Sequence, residues 1–92
     1  MEKEWVVYIL ECADGTLYTG MTDHLAHRLA AHASGKGAKY TRGRGPLQLC
    51  YQERCENKSQ ALRREYEIKR YTRQMKLDLI AQARISHVDH EK

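Results

Sequence analysis

The sequence predicts an α+β domain: a three-stranded antiparallel sheet packed against helices, in the order β-β-α-β-α-α. Three observations predict it. Two short strand-like runs flank Asp14-Gly15, the strongest short hairpin signal. A third alternating run follows Pro46, which a helix could not cross. The remaining stretches have apolar residues at helical spacing and polar residues placed to cap them. A chain of 92 residues makes one small domain. That size excludes an enzyme of two lobes with a cofactor cleft between them.

The elements follow in order. Trp5 to Cys12 is β-branched, aromatic and aliphatic, and Thr16 to Gly20 returns as the second strand. Thr22 or Asp23 can cap a helix reaching about Ser34, with Leu25, Leu29 and three alanines on its apolar side and Gly35 ending it. Residues 34–46 alternate glycine with base and read as a loop, with one short turn at Ala38–Thr41. Leu47 to Glu53 is the third strand. Asn57 with Gln60 resembles a capping box, opening a helix to about Arg70. Thr72 can cap a last helix with Met75, Leu79, Ile80 and Ala83 on one face. Residues 1–85 form the single domain and 86–92 a polar, frayed tail.

Charge is uneven along the chain. The formal net charge is +4, yet no acidic residue occurs from His24 to Gln52. That stretch carries Arg28, Lys36, Lys39, Arg42 and Arg44, besides three of the five histidines. Such a patch attracts polyanions, nucleic acid first among them; the plainer alternative is a solvated face. The segment from Arg42 to Pro46 could also reach into a narrow minor groove, though an ordinary loop before a strand is the plainer reading.

Cys12, Cys50 and Cys55 are odd in number and form no C-x-x-C pair, so they read as reduced, buried structural thiols. No apolar run approaches the roughly 18 residues of a membrane span. The first residues do not form a signal peptide. The expected location is therefore cytoplasmic, with no membrane partner.

Two helical alignments and one compositional bias point to chemistry. At about 100° per residue, Ala61, Leu62, Tyr66 and Ile68 form one apolar arc, and Glu65 falls inside it. A carboxylate on the core side is costly unless paired or bound to a metal. Lys69 one turn on, or Arg28 across the fold, could pair with it; a divalent ion is the functional alternative. His24, Arg28 and His32 share one stripe at i, i+4, i+8. They could form a solvated face or meet phosphate, and no third zinc ligand is placed beside them. Six Tyr, one Trp and no Phe leave a hydroxyl on nearly every ring. Tyr8 and Tyr18 lie near one another across the hairpin. A phenol with an ordinary pKa of about 10 is a poor base unless cations surround it.

In this set the chain resembles the GIY-YIG nuclease domain. The first motif reads Val6-Val7-Tyr8, with Gly and Ile both replaced. The second reads Tyr18-Thr19-Gly20. Arg28 and His32 match the family's helical Arg-x-x-x-His, and Glu65 its metal-binding Glu. The ordered set Tyr8, Tyr18, Arg28, His32 and Glu65 spans roughly Trp5 to Lys76. The chain looks most like the short stand-alone bacterial YhbQ-like group. It also shares residues 34–42 and the Gly43-Arg44-Gly45-Pro46 turn with endonucleases that cut branched DNA beside a scaffold subunit. Met21 follows the second motif where many members place a polar or basic residue, and no late Asn is matched.

The resemblance implies a metal-dependent endonuclease acting on DNA phosphodiesters, in repair or recombination on branched or flapped substrates. Glu65 would hold one Mg²⁺ or Mn²⁺. Arg28 would neutralise transition-state charge, and Tyr8 or Tyr18 would handle the attacking water. His32 and Tyr40 would support the phosphate and water network. Lys36, Lys39, Tyr40, Arg42 and Arg44 would contact the backbone of DNA, or of RNA. A scaffold or targeting protein could assist. The alternative is a nucleic-acid-binding module of the same fold with little catalysis of its own.

Overall fold

A computed structural model describes residues 4–36 and 45–90, with side chains described as far as residue 83. The elements are β1 (Trp5–Glu11), β2 (Leu17–Thr22), α1 (Leu25–Ala33), β3 (Gln48–Cys55), α2 (Lys58–Lys69) and α3 (Arg73–His90). The order is the predicted β-β-α-β-α-α, and all strand pairings are antiparallel. The backbone of α3 is helical through His90, beyond residue 85.

The sheet order is β2-β1-β3, so β1 is central. Val6 through Leu10 are all buried, which explains why this strand reads as an unbroken apolar run. The β1–β2 hairpin closes through Gly15 N–H to Cys12 O and Cys12 N–H to Thr16 O, both at 2.9 Å. Asp14 Oδ1 accepts from the Thr16 hydroxyl at 2.7 Å and from its amide at 3.1 Å. Gly15 has φ of 85°, a left-handed conformation that glycine adopts without a Cβ penalty.

The two faces of β1 receive different partners. Val7 and Ile9 join Ala61 and Ile68 of α2 and Ile80 of α3 in the aliphatic core. Tyr8 is paired with Gly20 and Leu10 with Tyr18, so both tyrosines lie on the other face. There His32 of α1 meets them. Arg64 of α2 crosses to β3, donating Nε to the Glu53 carboxylate at 3.0 Å and Nη1 to Glu67 at 2.9 Å.

Several local expectations change. β3 carries an extra residue opposite β1: Ile9 pairs with Tyr51 and Leu10 with Leu49, leaving Cys50 between them. Cys50 is therefore only half-buried, as is Cys55 at the end of the strand; Cys12 alone is a buried thiol. Neither Thr22 nor Asp23 is the cap of α1. His24 holds that position without a side-chain cap bond, while Thr22 Oγ1 accepts from the His24 amide at 3.1 Å. Asn57 does cap α2, accepting from the Gln60 amide at 2.8 Å, and the Gln60 side chain reaches back to the Glu56 amide at 2.7 Å. On α3, Met75 is exposed, and half-buried Lys76 flanks Leu79 and Ile80 in its place.

Candidate active site

The site grows from one tight strand crossing. Tyr8 sits opposite Gly20 in the hairpin, and its ring lies over the glycine. A Cβ at position 20 would stand 2.6 Å from the Tyr8 hydroxyl, 2.8 Å from Tyr8 Cζ and 3.0 Å from Tyr18 Cε2. Only glycine leaves room for both rings. The rings then lie with centroids 6.4 Å apart, tilted by 51°. Sequence reading placed the two tyrosines together but missed this role of Gly20; a glycine inside a strand was the available signal.

Helix α1 supplies the next layer. His32 is buried beneath its exposed neighbour Ala33, and its ring meets both tyrosines edge-on, at 5.9 Å from Tyr8 and 5.5 Å from Tyr18. Tyr8 Oη and His32 Nε2 are hydrogen-bonded at 2.9 Å. The stripe of His24, Arg28 and His32 is thus graded. His24 is exposed and stacked on His27 at 5.6 Å, Arg28 is half-buried, and His32 is enclosed.

The electrostatics follow from that enclosure. Burial pushes the Tyr8 phenol above its ordinary pKa of 10, opposed by the nearby Arg28 guanidinium and aided by Tyr18 and Glu65. Burial, then Arg28, hold the His32 imidazole below its ordinary value. With its imidazole held neutral by that lowering, His32 offers Nε2 as an acceptor for the Tyr8 hydroxyl in the tautomer protonated at Nδ1.

Glu65 lies on the core-facing side of α2, between Ala61 and Ile68, both fully buried. The expected apolar arc is corrected, however. Leu62 is 48% and Tyr66 64% exposed, because they project about 110° and about 150° away from the Ala61–Ile68 seam. The true inner face is Ala61, Arg64, Glu65 and Ile68, two aliphatics and two charges. The Glu65 side chain is only 18% exposed and pairs with Lys69 Nζ at 3.6 Å.

Five expected residues, Tyr8, Tyr18, Arg28, His32 and Glu65, therefore fall in one neighbourhood, linked by ring contacts, the Tyr8–His32 hydrogen bond and the charges of Arg28 and Glu65 felt at Tyr8. Lys36 is exposed just past the end of α1. Lys39, Tyr40, Arg42 and Arg44, expected to contact nucleic acid, lie outside the described residues, as does the expected turn at Ala38–Thr41.

The donor set bears on what ion could bind. Among the described residues no group of three or more His, Cys, Asp or Glu is gathered as a metal cage. A single sheltered carboxylate suits a hard divalent ion that keeps most of its waters, and does not suit structural zinc.

A sheet of this order carrying paired tyrosines, a helical arginine and a sheltered glutamate is the arrangement the sequence resemblance leads us to expect. The chain belongs to the GIY-YIG family: the model of the GIY-YIG catalytic domain matches residues 4–78. Its relatives are short stand-alone bacterial proteins of the UPF0213 group. A UPF0213 protein of Clostridium perfringens is 55% identical over 86 residues, covering 94% of this chain and 92% of that protein. One of Oceanobacillus iheyensis is 54% identical over 80 residues, covering 87% and 93%. The solution NMR structure of a UPF0213 protein from Bacillus halodurans is similar with a TM-score of 0.58 at 49% identity, covering 86% of this chain and 84% of that one. Among the described residues, no helix is long and apolar enough to cross a membrane.

Proposed function

We propose that the chain is a divalent-metal-dependent endonuclease that hydrolyses DNA phosphodiester bonds, on branched or flapped DNA during repair or recombination. One observation carries the reading: the buried Tyr8 hydroxyl is hydrogen-bonded to His32 at 2.9 Å and feels the charges of Arg28 and Glu65. A phenol so placed at a strand crossing has little structural use that a Phe would not serve better.

Each side chain then has a task. Arg28 offers its N–H groups to a phosphate and neutralises charge building on the transferring phosphoryl group. His32 fixes the direction of the Tyr8 hydroxyl. Tyr18 is half-buried and faces the same space, so it is the phenol better placed to orient an attacking water. Glu65 would hold the Mg²⁺ or Mn²⁺ ion. When bound, that ion supplies Lewis-acid stabilisation of the leaving oxygen. Glu65 must first exchange Lys69 for the ion, and Lys69 is then free to meet a phosphate. The basic residues Lys36, Lys39, Arg42 and Arg44, with Tyr40, would track the nucleic-acid backbone, giving salt-dependent and weakly sequence-selective binding.

The test is nicking of plasmid and of flapped or branched oligonucleotides in Mg²⁺ or Mn²⁺, with Glu65→Gln alongside. Glu65→Gln is expected to lose about 10²–10³ of the rate. Equal cleavage by the two proteins would sink the proposal, since the activity would belong to a contaminant.

A second reading has its own observations. The raised pKa of Tyr8 and the Lys69 partner on Glu65 both suit a nucleic-acid-binding module whose chemistry awaits a scaffold or targeting protein. That reading predicts salt-sensitive binding of DNA or RNA that survives Glu65→Gln, with no cleavage in either metal.

A further inference from the structure

A second basic feature lies outside the tyrosine cluster. At the hairpin end of β2, Thr16, Leu17, Arg73 and Lys76 line an open cavity of about 190 Å³. Two of its four walls are cations. Arg73 opens α3 and is anchored by Nη1 donating to Gly15 O at 2.8 Å, which leaves its other N–H groups for a ligand. Lys76 lies one turn further and is half-buried. Among the described residues, neither cation is paired with a carboxylate. The nearest acid on the turn, Asp14, has Oδ1 engaged by Thr16, and Asp78 accepts from Gln74.

We propose that this cavity is a phosphodiester subsite, holding the nucleic-acid backbone at a position away from the cleaved bond. The inference rests on the nuclease reading above and extends it. Two unneutralised cations converging on one concavity give an anion both charge and a fork of donors. Burial first, then the charge of Lys69, press the Lys76 ammonium below the ordinary lysine value, a cost that an anion beside it would relieve.

Placement selects a polymer over a free ion. Leu17 faces the aliphatic core while Tyr18, the next residue, faces the tyrosine cluster. The cavity and the candidate active site therefore lie on opposite sides of β2, and β2 is an edge strand. Lys69, paired with Glu65 and acting on Lys76, bridges the two. A strand bent over the β2 edge would meet Arg28 on one side and Arg73 with Lys76 on the other. That geometry favours a flexible or branched substrate over a straight duplex.

The experiment is fluorescence anisotropy of a labelled flapped DNA in EDTA, titrated with the full chain across a series of salt concentrations. Lys76→Gln keeps the Arg73 anchor on Gly15, so the turn is preserved; Arg73→Gln with Lys76→Gln removes both cations. The slope of log affinity against log salt is expected to fall by about 1 for the single variant and about 2 for the double. Binding by the wild type with an unaltered slope in the double variant overturns the subsite and leaves the nuclease reading standing. No salt-dependent binding by the wild type overturns both. Inorganic phosphate shifting the Thr16 and Leu17 amide resonances as strongly as DNA would make a free anion the ligand, and also overturns the proposal.

Discussion

Consecutive residues of one strand show how differently this protein uses its two sheet faces. Ile9 and Tyr8 are both fully buried on β1. Ile9 enters a core of Val7, Ala61, Ile68 and Ile80, where contact is non-directional and any good aliphatic fit would serve. Tyr8 enters a layer of Tyr18 and His32, where a hydroxyl and a ring nitrogen must meet at 2.9 Å. The first face holds the fold together. The second fixes the positions of polar atoms, and its enclosure shifts their protonation.

The largest effect should come from breaking the aliphatic face. Ile9→Ala removes methylenes from a fully enclosed position between sheet and α2. It is expected to cost about 2–5 kcal/mol, read as a fall in the urea midpoint. In a domain of this size such a loss can leave much of the chain unfolded. A change under about 1 kcal/mol would mean that α2 repacks readily and that the division of labour between the faces is overstated.

The next effect sharpens the other face. Gly20→Ala adds one carbon where Tyr8 and Tyr18 already leave no room. The expected cost is about 1–3 kcal/mol, with the tyrosine rings displaced. Cleavage should fall further than stability does, because the added methyl meets the site and not the core. Measuring rate and urea midpoint on the same preparation separates the two. Proportional losses would mean that Gly20 serves only the fold.

Much of this arrangement was legible in the sequence because the signals were local. The Asp14-Gly15 turn, the Asn57 cap and the start of β1 at Trp5 rest on short-range chemistry, and each stands where the sequence puts it, with β1 ending one residue short of Cys12. The spacing of Tyr8 and Tyr18 around one hairpin brought them together by strand register alone. What failed depended on contacts distant in sequence. Leu62 and Tyr66 were assigned inward by hydrophobicity, but the seam is set by Ala61 and Ile68, small and branched residues that fit the sheet. Arg64 of α2 takes a core-facing position because Glu53, on β3, neutralises it. The irregular pairing that leaves Cys50 half-buried carries no turn residue to announce it.

The smallest effect is the most specific test of the polar face. His32 has a lowered pKa in the folded chain, so the neutral ring is the form that folding favours. Its contribution is fully present above the unfolded pKa of about 6.5 and is lost as pH falls from there through the folded value. Tyr8 has the opposite sense. Its pKa is raised, so its contribution is present below about pH 10 and is lost only at higher pH. Between those limits, stability from this pair should be level. Lowering pH from 7 towards 5 should reduce the urea midpoint of the wild type, since a protonated His32 cannot accept the Tyr8 hydroxyl and also faces Arg28. His32→Gln should be less stable at pH 7 by about 0.5–1.5 kcal/mol, as expected for a lost hydrogen bond, yet nearly insensitive to that pH change. Parallel pH profiles for the two proteins would show that His32 does not titrate with folding. The Tyr8–His32 bond would then be an ordinary core contact, and the contrast between the two faces would reduce to one of shape.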